Sequence, residues 1–171
     1  MNKQYLVIII ILIMGLTSLY FISINSDVVG SASISVNKYI FSSPEGFVLD
    51  YSKSNEVALH SSSEENLSMY VTIIDDSNYF PSFLDWLENN SDYTILSKGS
   101  IKVNDIDVDT VYNRHKLNNN LSNNCSIFYF NKYGTNFKLE ITGFNYDTDR
   151  NKTMNFLIDV VTSLKPDYKI I

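Results

Sequence analysis

Three closely spaced aspartates near the middle of the chain are the clearest candidates for ion binding. Asp105, Asp107 and Asp109 alternate with apolar residues along a predicted strand, so their carboxylates project from one face of it. Carboxylate oxygens suit a hard cation such as Ca²⁺, and one hypothesis is therefore a metal site here. The other is a solvated outer face, with Ile106 and Val108 turned to the core. The second is favoured because no glycine-bearing loop with a fixed ligand order accompanies the aspartates.

The candidates for catalysis are two histidines and one cysteine. A hydrolytic triad needs a histidine beside a nucleophile and a carboxylate, and His60 and His115 each lie near a predicted strand end. No Gly-x-Ser-x-Gly sequence is present to hold a nucleophilic serine. Cys125 is alone, which excludes an intramolecular disulfide and a Cys-based zinc site and favours a small buried residue. The sequence therefore predicts surface histidines, no catalytic residue and no cofactor.

Five asparagines stand in Asn-x-Ser/Thr sequences, which accept N-linked glycans in exported proteins. Most of them fall in predicted loops or at element ends, as glycosylation requires, although a chain this rich in Asn and Ser also forms such sequences by chance. The candidates are Asn66, Asn89, Asn120, Asn124 and Asn151.

The N-terminal residues 5–24 are an uncharged and mainly apolar segment. At about 1.5 Å per residue it spans roughly 30 Å, the thickness of a bilayer core, and so predicts one transmembrane helix. Lys3 precedes it and Asp27 follows it, which keeps the short N-terminal end inside and places the C-terminal domain outside the cytoplasm. The length favours a retained anchor in the cell membrane, while the small residues at 28–32 keep cleavage and secretion open.

The charge distribution argues against nucleic acid as a partner. All 19 acidic residues and 12 of the 13 basic ones lie beyond residue 26, which gives that part a formal charge of −7. Such a surface repels phosphate backbones. The predicted organisation is an anchor or uncleaved signal at 1–26, a polar tether at 27–37, and one folded domain at 38–168.

Strand and helix patterns alternate along that domain. Strands are predicted at 39–41, 47–51, 56–60 and 67–74, followed by an amphipathic helix with Pro81 in its first turn. The apolar stripe of this helix is Phe80, Phe83, Leu84 and Leu87.

Two hairpins and a last helix follow. The first hairpin joins 94–103 to 106–115 about the turn-prone pair Asn104-Asp105, and the second joins 126–131 to 136–144. The consecutive aromatics at 128–130 face both sides of the sheet, which predicts either that both faces are covered or that one of them meets a partner. The last helix is stopped by Pro166, and its predicted apolar face is Met154, Leu157, Ile158, Val161 and Leu164. Because hairpins dominate, the predicted fold class is α+β, an antiparallel β-sheet flanked by helices.

Three stretches resemble the PsbP-like family. They are Phe41-Ser-Ser-Pro-Glu-Gly-Phe47, the hairpin Ile101-Lys-Val-Asn-Asp-Ile-Asp-Val108, and the ending from Phe156 to Pro166 with its Ser-Leu-Lys-Pro. The order of elements is similar as well, over roughly residues 37–167. The resemblance implies the Mog1/PsbP-like fold and a binding or assembly factor rather than an enzyme, and it transfers no functional residue.

The sequence thus predicts a membrane-tethered, extracytoplasmic, non-enzymatic binding or assembly module with a protein partner at the cell surface. Two alternatives stay open, a surface hydrolase that uses Asp and His and a Ca²⁺-binding domain built on the three aspartates.

Overall fold

Ten strands and two helices form the part of the chain that this computed structural model describes, residues 32–116 and 122–168. The helices are α1 (Tyr79–Asn89) and α2 (Tyr146–Ser163). The strands are β1 (Ser33–Val36), β2 (Tyr39–Ser42), β3 (Phe47–Ser52), β4 (Glu56–Ser61), β5 (Ser68–Ile74), β6 (Tyr93–Val103), β7 (Ile106–Lys116), β8 (Ser122–Lys132), β9 (Thr135–Thr142) and β10 (Lys165–Pro166).

The strands form two antiparallel sheets. The larger has seven strands in the order β3-β4-β5-β9-β8-β7-β6, and the smaller has three in the order β1-β2-β10. The two long hairpins turn where the sequence predicts, because Asn104 and Asp105 have φ of 46° and 65°, and Tyr133 and Gly134 have φ of 55° and 72°. Two successive residues with positive φ give the tight turn that matches the twist of a hairpin.

The main core lies between one face of the seven-stranded sheet, α2 and the small sheet. Alternate residues of each strand enter it, among them Phe128 and Phe130 of β8, which are almost fully buried. Helix α2 contributes the face that carries Phe156, Leu157, Val160 and Val161. The predicted α+β architecture, with both sheet faces covered around residues 128–130, is confirmed.

Helix α1 covers part of the opposite face. Its residues Phe80 and Leu87 pack on Val111 of β7, with Tyr129 of β8 at the edge of this second apolar cluster. Pro81 lies in the first turn as predicted, where its missing N–H costs no helical hydrogen bond. The sheet face beneath α1 is therefore built from Tyr93 and Ile95 of β6 and from the residues of β7, β8 and β9 that alternate with the main core.

Three details differ from the sequence prediction. The segment 33–36, predicted as tether, is strand β1, because Ile34 and Val36 are buried in the main core while the serines face outward. Strand β8 begins at residue 122 rather than 126. Ile158, predicted on the apolar face of α2, is 39% exposed, since the buried face is rotated toward Phe156 and Val160.

The predicted transmembrane segment at 5–24 lies outside the described residues, as does all of the cleavage segment 28–32 except Ala32. Within residues 32–116 and 122–168, neither helix has the length and apolar character needed to cross a bilayer.

Candidate functional site

A half-open cavity of about 310 Å³ lies between α1 and the sheet face beneath it. Its roof consists of Phe83, Trp86 and Leu87 from α1 together with Tyr93 at the start of β6. Its floor is formed by side chains of β7, β8 and β9, namely Asn113, His115, Asn123, Cys125, Ile127, Glu140 and Thr142. An apolar and aromatic roof thus faces a predominantly polar floor.

Strand register brings the floor residues together. Asn113 of β7 lies opposite Cys125 of β8, and Cys125 lies opposite Thr142 of β9, so the three form one row across the sheet. In the neighbouring row Ile127 lies opposite Glu140. Cross-strand partners of this kind approach within about 5 Å at their Cβ atoms, so polar groups from three strands share one small surface.

Asn113 is the unusual member of the floor. Its side chain is only 1% exposed, and among the described residues neither Nδ2 nor Oδ1 has a partner at hydrogen-bond distance and angle, although the amide is close enough to the Cys125 thiol to oppose the rise in its pKa. Buried amides are almost always bonded, because an unmet donor or acceptor costs about 1–3 kcal/mol. The fold therefore keeps a donor and an acceptor side by side at this cavity at a cost in stability.

Glu140, the carboxylate in the cavity floor, already has an ion-pair partner and a hydrogen-bond partner within the domain. Glu140 pairs with Lys138, with 2.9 Å from Nζ to Oε2, and its other oxygen accepts a weak bond from Cys125 Sγ at 3.6 Å. Burial, and then the nearby Glu140 carboxylate, raise the pKa of the Cys125 thiol well above its usual value. Lys138 and the adjacent Asn113 amide act in the opposite direction and are outweighed, so the thiol stays protonated near neutral pH.

The rim of the cavity is aromatic. Tyr93 and His115 stack with ring centroids 4.5 Å apart and 9° between their planes, and Trp86 lies 5.0 Å from Tyr93 and 5.9 Å from Phe83. Burial raises the pKa of the Tyr93 phenol, and its proximity to Cys125 adds to the effect. Trp86 is nevertheless 48% exposed, so this large aromatic side chain lies at the mouth of the cavity.

Comparison with known proteins bears on the fold. No family model and no curated protein matches the sequence. The solution structure of cyanobacterial PsbP (CyanoP) from Synechocystis sp. PCC 6803 is similar, with 14% identity, a TM-score of 0.52, and coverage of 80% of this chain and 92% of that one. The Ran-binding protein Mog1p of Saccharomyces cerevisiae is similar too, with 11% identity, a TM-score of 0.50, and coverage of 80% and 96%.

The chain has the Mog1/PsbP-like fold. A protein from Bacteroides thetaiotaomicron shares it, with a TM-score of 0.53 and 8% identity over 80% of this chain and 48% of that one. The fold implied by the sequence resemblance is thereby confirmed. At such identities the likeness establishes the fold alone, and the function has to be argued from the site.

The three aspartates lie at the β6–β7 hairpin of the Mog1/PsbP-like domain, away from the cavity floor. Asp105 occupies the turn itself and not the strand face predicted for it. Asp107 lies 3.8 Å from Lys102 Nζ, and Asp109 accepts a hydrogen bond of 2.5 Å from Ser100. No group of three or more His, Cys, Asp or Glu side chains within residues 32–116 and 122–168 is arranged to hold a metal ion, and the Ca²⁺ site stays a prediction.

The glycosylation candidates differ in accessibility. Asn66, Asn89 and Asn151 are exposed, whereas Asn120 lies outside the described residues. Asn124 is half-buried, and its amide donates to the Phe144 carbonyl at 2.9 Å, a bond that a glycan on Nδ2 would disturb. Use of these sites stays a prediction.

The two histidines have different surroundings. His60 is exposed on β4, in agreement with the predicted surface position. His115 is half-buried at the cavity and stacked on Tyr93, which the sequence did not indicate. Cys125 is buried as predicted, and it too lines the cavity.

We expect Cys125 to react with iodoacetamide at pH 8 at least about tenfold more slowly in the folded protein than in the urea-unfolded chain. The raised pKa depletes the reactive thiolate, and each pKa unit is worth about tenfold. Mass spectrometry of quenched samples measures both rates. Equal rates would contradict the protonated, buried thiol.

Proposed function

We propose that this chain is a non-enzymatic binding or assembly module, tethered to the cell membrane and displayed outside the cytoplasm. The observation that carries the binding function is the cavity beneath α1, where an aromatic roof covers a predominantly polar floor. Apolar walls with a few placed polar groups are typical of binding sites. The half-buried side chains of His115, Asn123 and Thr142 supply polar groups that such a site would use.

A protein partner at the cell surface is favoured by the exposed aromatic mouth. Trp86 exposes almost half of its surface, and tryptophan is enriched among the residues that contribute most to protein interfaces. The yeast neighbour with this fold is a Ran-binding protein, so a domain of this architecture is able to present a protein-binding surface. We infer that the partner contacts the roof residues Phe83, Trp86 and Tyr93, where the roof meets the mouth of the cavity.

Membrane tethering is inferred from residues 5–24. They contain no charged residue and are long enough to span a bilayer as a helix. Lys3 on the short side of this segment favours an extracytoplasmic domain. The formal charge of −7 beyond residue 26 argues against nucleic acid as the partner there.

One experiment on intact cells tests both location and partner binding. The full chain with a C-terminal tag is treated with a membrane-impermeant, amine-reactive cross-linker, and the tagged products are identified by mass spectrometry. We expect a specific cross-linked partner, and we expect Trp86→Ala to reduce it at least about tenfold, as the loss of an interface tryptophan does.

Tyr168→Ala is the matched control, since Tyr168 is 76% exposed and belongs to the segment beyond β10. It should leave the cross-linked product unchanged. Cross-linking that occurs only after cell lysis would contradict the extracytoplasmic location. Equal yields from the Trp86 and Tyr168 variants would contradict the assignment of the partner surface.

A surface hydrolase is the second candidate, because the cavity brings His115 together with a carboxylate, Glu140, and a hydroxyl, Thr142. Within the described residues, however, no hydrogen bond joins His115 to a hydroxyl or thiol, and Glu140 is paired with Lys138. A triad requires the histidine to be bonded to both the nucleophile and the carboxylate. The geometry therefore favours binding.

A further inference from the structure

We propose that the outer edge of β6 binds an extended segment of a partner protein, which adds to the sheet as a strand and carries two acidic residues four positions apart. β6 is the last strand of the seven-stranded sheet, and within the described residues β7 is the one strand that pairs with it. The edge used is residues 98–102. None of these lines the cavity beneath α1, so this binding surface goes beyond the proposed function.

The turn at Asn104 and Asp105 decides which backbone groups of β6 are unpaired. Both residues have positive φ, and a two-residue turn of this kind makes Val103 and Ile106 the closing hydrogen-bonded pair. Counted back from Val103, every second residue of β6 then directs its N–H and C=O groups to β7. The residues between them direct these groups away from the sheet, and they are Lys98, Ser100 and Lys102.

These outward backbone groups are accessible. Lys98, Ser100 and Lys102 are all exposed, so their N–H donors and C=O acceptors meet solvent along one edge. An extended peptide that joins a sheet edge gains its affinity from main-chain hydrogen bonds to groups of this kind. The edge of β6 therefore offers the backbone pattern that an added strand needs.

Gly99 leaves room for an incoming backbone. Its φ lies outside the left-handed region, and a Cβ there would meet nothing within 4 Å, so neither the conformation nor the packing of the domain requires glycine. The register shift of β6 lies between Ile95 and Ser97 and does not account for it. A glycine inside a strand weakens the strand and often marks a close approach of another backbone.

Lys98 and Lys102 set the charge of the segment. They lie on one face of the strand, and their side chains are 57% and 62% exposed. Each already has a carboxylate nearby, Glu88 and Asp107, but exposed pairs contribute little and an ammonium group has three donors. A carboxylate on the added strand would lie about one strand spacing from Lys102 and about two from Asp107, so attraction exceeds repulsion.

A second copy of β6 is a poor occupant of this edge. Every antiparallel register that pairs the outward residues of two β6 strands brings Lys98 or Lys102 next to a lysine of the other strand, either directly opposite or on the diagonal. Like charges in these positions destabilise the pairing of strands. The lysines thus select against self-association and for an acidic segment.

Binding is measured by NMR on the ¹⁵N-labelled full chain in detergent micelles. The probe is the peptide acetyl-Thr-Glu-Val-Thr-Val-Glu-Thr-amide, whose glutamates match the spacing of Lys98 and Lys102. Two methylated forms are a matched pair. N-methylation of the central threonine removes the N–H that would face Ser100, whereas N-methylation of the following valine blocks an N–H that points away from β6. A fourth peptide has lysine in place of both glutamates.

We expect the glutamate peptide to cause saturable shifts in the amide signals of Lys98, Ser100 and Lys102 and to slow the exchange of these amide hydrogens with solvent. Methylation of the central threonine, or lysine in place of the glutamates, should weaken binding at least about tenfold. Methylation of the valine should leave the affinity within about twofold. The double variant Lys98→Glu, Lys102→Glu should bind the lysine peptide at least about tenfold more tightly than the glutamate peptide.

Four results would each overturn the assignment. They are equal affinity of the two methylated peptides, equal affinity of the glutamate and lysine peptides, an unchanged charge preference in the double variant, and no saturable shift up to the solubility limit of the glutamate peptide. If the peptides fail while Trp86→Ala still reduces cross-linking on cells, the β6 edge is not a binding site and the proposed function stands.

Discussion

Replacing Asn113 by leucine should stabilise the folded domain by about 1–3 kcal/mol. The side chain is buried and neither of its polar atoms is bonded among the described residues, so the substitution removes the desolvation penalty of an unmet amide. The adjoining cavity gives the leucine room and limits the strain of overpacking. Chemical denaturation of the full chain in micelles, followed by circular dichroism, measures the change in the free energy of unfolding.

Thr153→Val is the matched control because Thr153 is equally buried but satisfied. Its Oγ1 donates to the Arg150 carbonyl at 2.8 Å and lies 3.4 Å from Ser126 Oγ. We expect this nearly isosteric change to destabilise the domain by about 1 kcal/mol. A loss of stability in Asn113→Leu as large as in Thr153→Val would mean that the Asn113 amide is hydrogen-bonded in solution.

Gly143→Ala should destabilise the domain by at least about 3 kcal/mol. Gly143 follows β9 with φ of 84°, a conformation that costs other residues about 1–2 kcal/mol. A Cβ at this position would also overlap the backbone carbonyl of Asn66, and overpacking of that kind adds about 1–3 kcal/mol. The Gly143 N–H lies 3.0 Å from Asn123 Oδ1 and 3.2 Å from the Asn124 carbonyl. A displacement of the Gly143 backbone would therefore also disturb Asn123, which lines the cavity.

Gly46→Ala separates the two causes. Gly46 has nearly the same φ, 81°, but a Cβ there would meet nothing within 4 Å. We expect a loss of only about 1–2 kcal/mol, measured by the same denaturation experiment. If the two alanine variants were equally stable, the close approach of Asn66 to Gly143 would not exist in the folded protein.

Local patterns in the sequence predict most of the elements. The apolar residues from Phe80 to Leu87 recur with the 3.6-residue period of a helix, and this pattern alone predicts α1. The pair Asn104-Asp105 tolerates positive φ, and the hairpin turns there. These predictions succeed because periodicity and turn chemistry act over a few neighbouring residues.

Local sequence patterns could not predict strand β1 or which face of α2 is buried. Two apolar residues, Ile34 and Val36, among serines are too few to indicate a strand, and β1 is held by pairing with β2 and by burial in the core. Ile158 follows the buried Leu157 and lies just outside the buried face of α2. Which apolar residues of a helix are buried depends on the surface against which the helix packs. Both features are set by packing between distant segments.

The sequence by itself determined the chemistry available to this protein: an acidic domain of α+β type, a single cysteine, two histidines, and an apolar segment long enough to span a bilayer. Only the tertiary structure decided the site. In the sequence, Asn113 looks like an ordinary strand residue. In the structure, the register of β7, β8 and β9 places it beside Cys125 and in one row with Thr142, and α1 covers this row. The physical reason is that burial and hydrogen-bond satisfaction are properties of a residue's neighbours in space, which the order of residues along the chain does not specify.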